Sequence, residues 1–357
     1  MFRGNGITGG RFADRCRHLI ITYNTSIQVY STEDSLLVRR IALPVTGTDD
    51  TTEFVATHIV SSVLSTCDAD YLWVACSDGR IWHINWTSGA GVDTPFRIEV
   101  KKVLDVAVDA VEIGGKSEDV LLVLKRLTKS SAQIVAYNTK ALSTGIGKLL
   151  HTYDESPQLL RSAAEGRLIV AAAKETLHIG ALKAKKLASL DDLTYRFHCF
   201  DVPDIVTCLD IRPTLRTTKK GGLELQSVDL AVGCARGAIH VYHDVLSKLP
   251  GEGSASSRAG IIQPKKYHWH RRAVHSVKWS QDGQYLTLAS VSPRCDNSTN
   301  RQQGATSSLA VTRLFWFSGR LIPGDWTFYP IFPRPLRTSS CLPGGPHTPF
   351  TWMTTRQ

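Results

Sequence analysis

The residues most able to do chemistry crowd into one stretch, Tyr267-His-Trp-His-Arg-Arg-Ala-Val-His275, which sets His268, His270 and His275 within eight positions. Three imidazoles suggest zinc, but a zinc site needs donors that converge on a tetrahedron. Spacings of two and five on one strand entry, without a nearby cysteine or carboxylate cluster, do not converge. Gly145-Ile-Gly-Lys148 is the nearest approach to a phosphate-cradling loop, yet its first glycine is missing and Leu149 stands where a hydroxyl residue is required. No Gly-x-Ser-x-Gly elbow and no His-Glu-x-x-His occur. Asp49-Asp50 and Asp191-Asp192 are adjacent pairs, which point apart on a strand and suit solvated loops better than acid–base work. The expectation is a chain with no catalytic residue, no metal, no cofactor and no small-molecule substrate.

Charge offers a better signal. The 357-residue chain carries a formal charge of +10 and a pI near 9.2, a balance that draws a polyanion or an acidic partner. Basic doublets fall at Arg39-Arg40, Lys101-Lys102, Lys185-Lys186, Lys219-Lys220, Lys265-Lys266 and Arg271-Arg272. The last two flank Tyr267 and Trp269. Cations there would hold phosphates without reading sequence, and an exposed ring could stack on an unpaired base. Lys265, Lys266, Arg271 and Arg272 are therefore the candidate contact for RNA or an acidic partner.

The elements that must position these residues are short strands. Residues 71–84 read as two alternating strands joined through Asp78-Gly79, a dipeptide that tolerates the positive φ of a tight turn. The same shape returns at residues 18–30, 167–180 and 228–242, and more weakly at 120–124 with 132–137. A further strand is expected ahead of some of these hairpins, at 57–64 and 205–211. A unit recurring every ~50 to 60 residues is the signature of a radial repeat with long loops. The alternative is a pair of β-sandwiches, which would not require one hairpin shape to return at regular spacing.

In residues 267–286, His270 precedes Val274 by four, and Ser276, Trp279, Asp282 and Gly283 follow in the order in which a WD repeat opens. In that family the histidine hydrogen-bonds within its blade and Asp-Gly turns the chain between the first two strands. These five are the expected structural positions of the repeat. No hairpin ends in Trp-Asp; Val29-Tyr30, His83-Ile84, His178-Ile179 and Val241-Tyr242 stand there instead, so stability must rest on strand packing.

The expected fold is all-β: a divergent WD-repeat-like β-propeller over residues 1–290, about six blades with the last interrupted, followed by an irregular tail at 291–357. The tail holds seven Arg against two Asp, no Lys and no Glu, and eight of the fifteen prolines. That mixture, dense in aromatics, fits neither a disordered linker nor a folded domain, and points to a non-native reading frame or to disorder. No apolar run is long enough to span a bilayer and the start has no secretory apolar segment. The chain is expected in a reducing compartment, away from membranes. Its eight scattered cysteines then serve as small buried hydrophobes, and the sequons at Asn24, Asn85 and Asn297 carry no glycan.

Three segments carry a family resemblance: Asn5-Gly-Ile-Thr-Gly-Gly-Arg11 with Ile21-Thr-Tyr23, then Trp73-Val-Ala-Cys-Ser-Asp-Gly79, and above all residues 268–279. Over residues 1 to about 288 the chain resembles the amino-terminal propeller of the family called U three protein seventeen or WD-repeat protein seventy-five. Members of that family are longer, with two propellers and a helical carboxyl-terminal region, so the resemblance implies that this chain lacks the second half. It further implies a non-catalytic scaffold in the nucleus and nucleolus, serving ribosome biogenesis and pre-18S rRNA processing and linked to RNA polymerase I transcription. The implied partners are other UTP-A subunits of the small-subunit processome, the 5′ external transcribed spacer of the pre-rRNA, and the U three small nucleolar RNA. The competing reading is a generic WD-repeat adaptor, such as a substrate receptor of a ubiquitin ligase.

Overall fold

The computed structural model describes residues 6–44, 58–184, 186–217, 223–249, 262–268, 272–280, 283 and 286–290, with two short pairs at 317–318 and 329–330. The rest of the tail at 291–357 lies outside the described residues.

Strand follows strand, and each sheet is built from consecutive segments. Sheet 1 pairs Ile7–Ala13, His18–Tyr23, Ser26–Ser31 and Leu37–Ala42 in that order. Sheet 2 pairs Ile59–Leu64, Tyr71–Cys76, Arg80–Asn85 and the two-residue Phe96–Arg97. Sheet 3 pairs Val103–Ile113, Lys116–Arg126, Ala132–Asn138 and Lys148–Tyr153, and sheet 4 pairs Leu159–Ala163, Leu168–Ala173, Thr176–Leu182 and Tyr195–Asp201. Sheet 5 pairs Val206–Thr217, Leu223–Cys234, Ala238–Tyr242 and Lys265–His268. Sheet 6 contributes Val274–Trp279 and Leu286–Ser290. All pairings within these sheets are antiparallel.

The expected hairpins stand where the pattern put them, the weak one as Lys116–Arg126 paired with Ala132–Asn138. Its first strand also pairs back with Val103–Ile113 through a turn at Gly114-Gly115, and those two strands run eleven residues each. Charged residues such as Asp109, Glu112, Lys116 and Glu118 interrupt the apolar pattern of this preceding pair, which is why hydrophobic periodicity registered only residues 120–124 of it.

What makes these sheets blades is where their faces go. The second strand of sheet 4, Leu168–Ala173, is buried at every position. Leu168, Val170 and Ala172 pack against sheet 5, while Ile169 and Ala171 pack against sheet 3. Tyr71–Cys76 does the same, with Leu72, Val74 and Cys76 toward sheet 1 and Trp73 and Ala75 toward sheet 3. The alternation read in the sequence thus runs between two neighbouring blades rather than between core and solvent, and both faces of a middle strand need apolar side chains. Each large core cluster is shared by two successive sheets. The first strands of successive sheets also touch in sequence. Sheets packed on both sides, with their first strands innermost, make an all-β, propeller-like fold; two sandwiches would close each sheet against one partner only.

Turn chemistry holds the hairpins to this geometry. Gly79 adopts φ +91 between the middle strands of blade 2. Gly283 adopts φ +67 between the two strands of blade 6, its N–H donating to the Ser280 carbonyl at 2.9 Å. A Cβ at Gly283 would meet the Arg212 guanidinium, a flexible group that can turn aside, so it is the positive φ that favours glycine here.

Candidate functional site on the inner strands

The innermost strands of a propeller see few neighbours of their own sheet, so their polar residues must find partners across a blade boundary. Asp105 opens the inner strand of blade 3, and its buried carboxylate accepts from Val106 N–H at 2.9 Å, Leu160 N–H at 2.9 Å and Arg161 Nη1 at 2.9 Å. The last two belong to blade 4. Four residues further on, Asp109 accepts from Gly166 N–H and Ser162 Oγ–H of blade 4, at 2.9 and 3.0 Å. Burial pushes the Asp109 carboxyl above the ordinary aspartate value, opposed by those two hydrogen bonds.

Asp210 of blade 5 accepts from Lys278 Nζ at 2.6 Å and from the Trp279 N–H at 2.8 Å, both on blade 6. Arg11 of blade 1 donates to the Ser62 carbonyl of blade 2. Its guanidinium is pushed down to about 10, first by burial and then by the like charge of Arg161, with Asp105 pulling the other way. Arg11 Nε is enclosed without a hydrogen-bond partner. Arg11 and Arg161 thus share the field of one carboxylate near the centre of the molecule.

Asp119, at the start of the second strand of blade 3, reaches back to blade 2. Burial works against its charge, but hydrogen bonds from Ser65, Thr66, Cys67 and Trp73 outweigh it and hold the carboxyl below the ordinary aspartate value. The thiols tell the opposite story. Burial raises Cys76 and Cys208 to about 11 and Cys234 to about 12, so all three stay protonated at neutral pH and act as apolar filler. Cys16 and Cys67 are exposed and Cys199 lies between, so the expectation of buried cysteines holds for part of the set only. No group of three or more His, Cys, Asp or Glu positioned for a metal occurs among the described residues.

The basic residues singled out in the sequence are placed as follows. Lys265 and Lys266 are exposed and lie on the outer strand of blade 5, opposite Val241 and His240. Being successive on a strand, they point to opposite faces of the sheet. Tyr267 shares the Lys265 face and packs against the Cys208, Val274 and Val277 cluster, so its ring is committed to the boundary with blade 6. His268 shares the Lys266 face and contacts the Arg236 carbonyl at 3.0 Å. Arg272 is exposed beyond the strand, while Arg271 and Trp269 lie outside the described residues.

Of the expected repeat positions, Ser276 is exposed on the inner strand of blade 6. Trp279 is half-buried on that strand under the Arg212 guanidinium, 5.7 Å from the ring centre, and Gly283 makes the turn described above. His270 and Asp282 lie outside the described residues. Sequence reasoning missed Arg11, Asp105, Asp109, Asp119, Arg161, Asp210 and Lys278, because their partners lie roughly 50 to 70 positions away in sequence.

No family model and no curated protein matches this chain. Among solved structures it is similar to a chain in "Crystal Structure of Mitotic Checkpoint Complex", with a TM-score of 0.50 and 12% identity over 81% of this chain and 73% of that one. That neighbour is a WD40 propeller protein, and at this identity the likeness is one of fold.

Proposed function

We propose that this chain is a non-catalytic propeller scaffold that holds protein partners, and that it acts in the small-subunit processome as its sequence resemblance implies. The observation that carries the scaffold reading is the use made of the carboxylates at the blade boundaries. Asp105, Asp109, Asp119 and Asp210 are each engaged by donors from a neighbouring blade. Groups so engaged tie one blade to the next, a structural use of the kind a scaffold needs. The processome reading draws on residues 268–279 and on the net positive charge, which suits pre-rRNA and acidic partner surfaces.

The test is affinity capture of the tagged full chain, followed by gradient sedimentation with and without RNase. The processome reading expects nucleolar retention and co-sedimentation with large pre-ribosomal particles that RNase abolishes. Capture of ubiquitin-ligase subunits, unchanged by RNase, would replace it with the adaptor reading.

A further inference from the structure

The turn between the second and third strands of a blade lies beside the entry to the next blade. Ile59 N–H donates to the Asn24 carbonyl at 2.8 Å, Val103 N–H to Ser77 at 3.0 Å and Val206 N–H to Lys174 at 2.7 Å. These turns therefore share one face of the fold. Along it, charge is absent or cancelled in blades 1, 2, 4 and 5. Blade 1 turns on Asn24-Thr25, Arg80 of blade 2 pairs with Asp78 at 2.7 Å, Lys174 of blade 4 neighbours Glu175, and Arg236 Nε of blade 5 stands 3.8 Å from Asp204.

Blade 3 differs. Its turn at residues 127–131 carries Lys129, and Arg126 closes the strand before it. Arg126 N–H donates to the Lys102 carbonyl at 2.8 Å, which lays Lys101-Lys102 against the same end of the blade. Leu127 N–H on the Ser131 carbonyl and Ser131 N–H on Thr128 Oγ1, both at 3.0 Å, fix the turn with Lys129 at its tip. Lys101 and Lys129 are exposed, Lys102 and Arg126 half-buried, and Arg126 Nε is enclosed with no hydrogen-bond partner.

No carboxylate among the described residues forms an ion pair with any of these four. The carboxylate nearest in register is Asp154, one residue beyond Tyr153, which lies opposite Ala132. Lys125 belongs to another surface: it lies in a cleft toward blade 2, lined also by Arg97, Leu149 and Glu99, where the one glutamate offsets the one lysine. Four cations thus stand against one anion across three neighbouring strands, a width of roughly 10 Å.

Charge density decides what such an end selects. A nucleic-acid double helix carries about one charge per 1.7 Å of its axis, so that width meets roughly six phosphates. An extended peptide returns a side chain to the same face only every ~6.8 Å and brings one or two carboxylates. A protein partner also needs an apolar centre to bury, and Leu127, 39% exposed, is the one large exposed apolar side chain described in this turn. Single strands are held by rings that stack on unpaired bases. The ring beside the turn, Tyr153, is 2% exposed.

We propose that this end of blade 3 binds the sugar–phosphate backbone of a base-paired RNA stem through Lys101, Lys102, Arg126 and Lys129, without reading its sequence. The choice of RNA rests on the proposed ribosomal role, to which the inference adds the surface that makes the contact.

The test is fluorescence anisotropy of the full chain with a labelled RNA hairpin whose stem runs about sixteen base pairs, titrated at several salt concentrations. Saturable binding is expected, with log K falling against log salt at a slope of about −3.5 for four neutralised phosphates. The triple variant Lys101→Gln, Lys102→Gln, Lys129→Gln should bind at least about tenfold more weakly at low salt, with a slope shallower by about three. Lys116→Gln, at the opposite end of the same blade, should leave both unchanged. If the triple variant fails to fold in a parallel melting measurement, Lys129→Gln alone decides, through a slope shallower by about one. Equal loss from Lys116→Gln, an unchanged slope in the triple variant, or tighter binding of a single-stranded RNA or a polyaspartate peptide overturns the proposal. With no pre-ribosomal component present, failure to bind the stem overturns this inference alone. A chain that binds the stem and does not co-sediment with pre-ribosomal particles overturns the proposed role and keeps the contact.

Discussion

Asp119, between blades 2 and 3, and Asp210, between blades 5 and 6, both reach across a blade boundary, but they are held in different surroundings. The Asp119 carboxylate is 7% exposed and accepts from Ser65 Oγ, from Thr66 N–H and Oγ at 3.1 and 2.6 Å, from Cys67 N–H at 3.0 Å and from the Trp73 indole at 3.4 Å. Asp210 has two donors, and one of them, Lys278, is 60% exposed. The first boundary closes a buried loop with backbone and indole donors that cannot turn to water. The second ties an exposed ammonium that can. The boundaries of one propeller therefore differ in strength according to how many of the donors at each have solvent as an alternative.

Four measurements would break or sharpen that contrast. Asp119→Ala should lower the unfolding free energy of the full chain by about 3 kcal/mol, because it strands several buried donors at once. A loss under about 1 kcal/mol would show that these donors find other partners.

The pH dependence should differ too. The folded-state pKa of Asp119 is depressed below its ordinary value, so its contribution is present above about pH 4 and is lost as pH falls through the lower folded value. Asp119→Asn should consequently be destabilised at pH 6 and approach the parent as acid is added. A gap between the two chains that stays constant down to pH 3 would contradict the assignment.

At the weaker boundary, Asp210→Ala should cost about 1 kcal/mol, mainly through the Trp279 N–H that loses its acceptor. Lys278→Met should cost less than about 0.5 kcal/mol, and that small difference should vanish at about 1 M salt. If Lys278→Met proved as damaging as Asp119→Ala, the contrast between the two boundaries would collapse.

The hairpins were legible because each is local: a β-branched strand, a turn residue such as Gly79, and a second strand lie within about fifteen residues. The boundary carboxylates were not, since Asp119 and Ser65 are 54 positions apart and nothing near either residue announces the other. Reading Lys265-Lys266 as part of one basic cluster follows the sequence, but a strand sends neighbours to opposite faces. The cleft lined by Arg97, Lys125 and Leu149 gave no signal because it joins residues of two blades that lie far apart in sequence. Tyr267 looked available for stacking and instead fills the boundary with blade 6, a fate that depends on a strand not yet begun where Tyr267 occurs.

That each blade is made of consecutive strands while each core cluster is shared by two blades has a consequence for synthesis. Strand pairing within a blade needs only residues already translated, so the hydrogen-bonded ladders can form as the chain leaves the ribosome. The apolar faces cannot be covered until the next blade has followed. At ~5–20 residues per second, a face such as Leu168, Val170 and Ala172 waits on the order of a few seconds for blade 5. The nascent chain passes through a series of intermediates that are complete in backbone pairing and unfinished in side-chain burial, which are the species that a chaperone binding apolar sheet faces would meet.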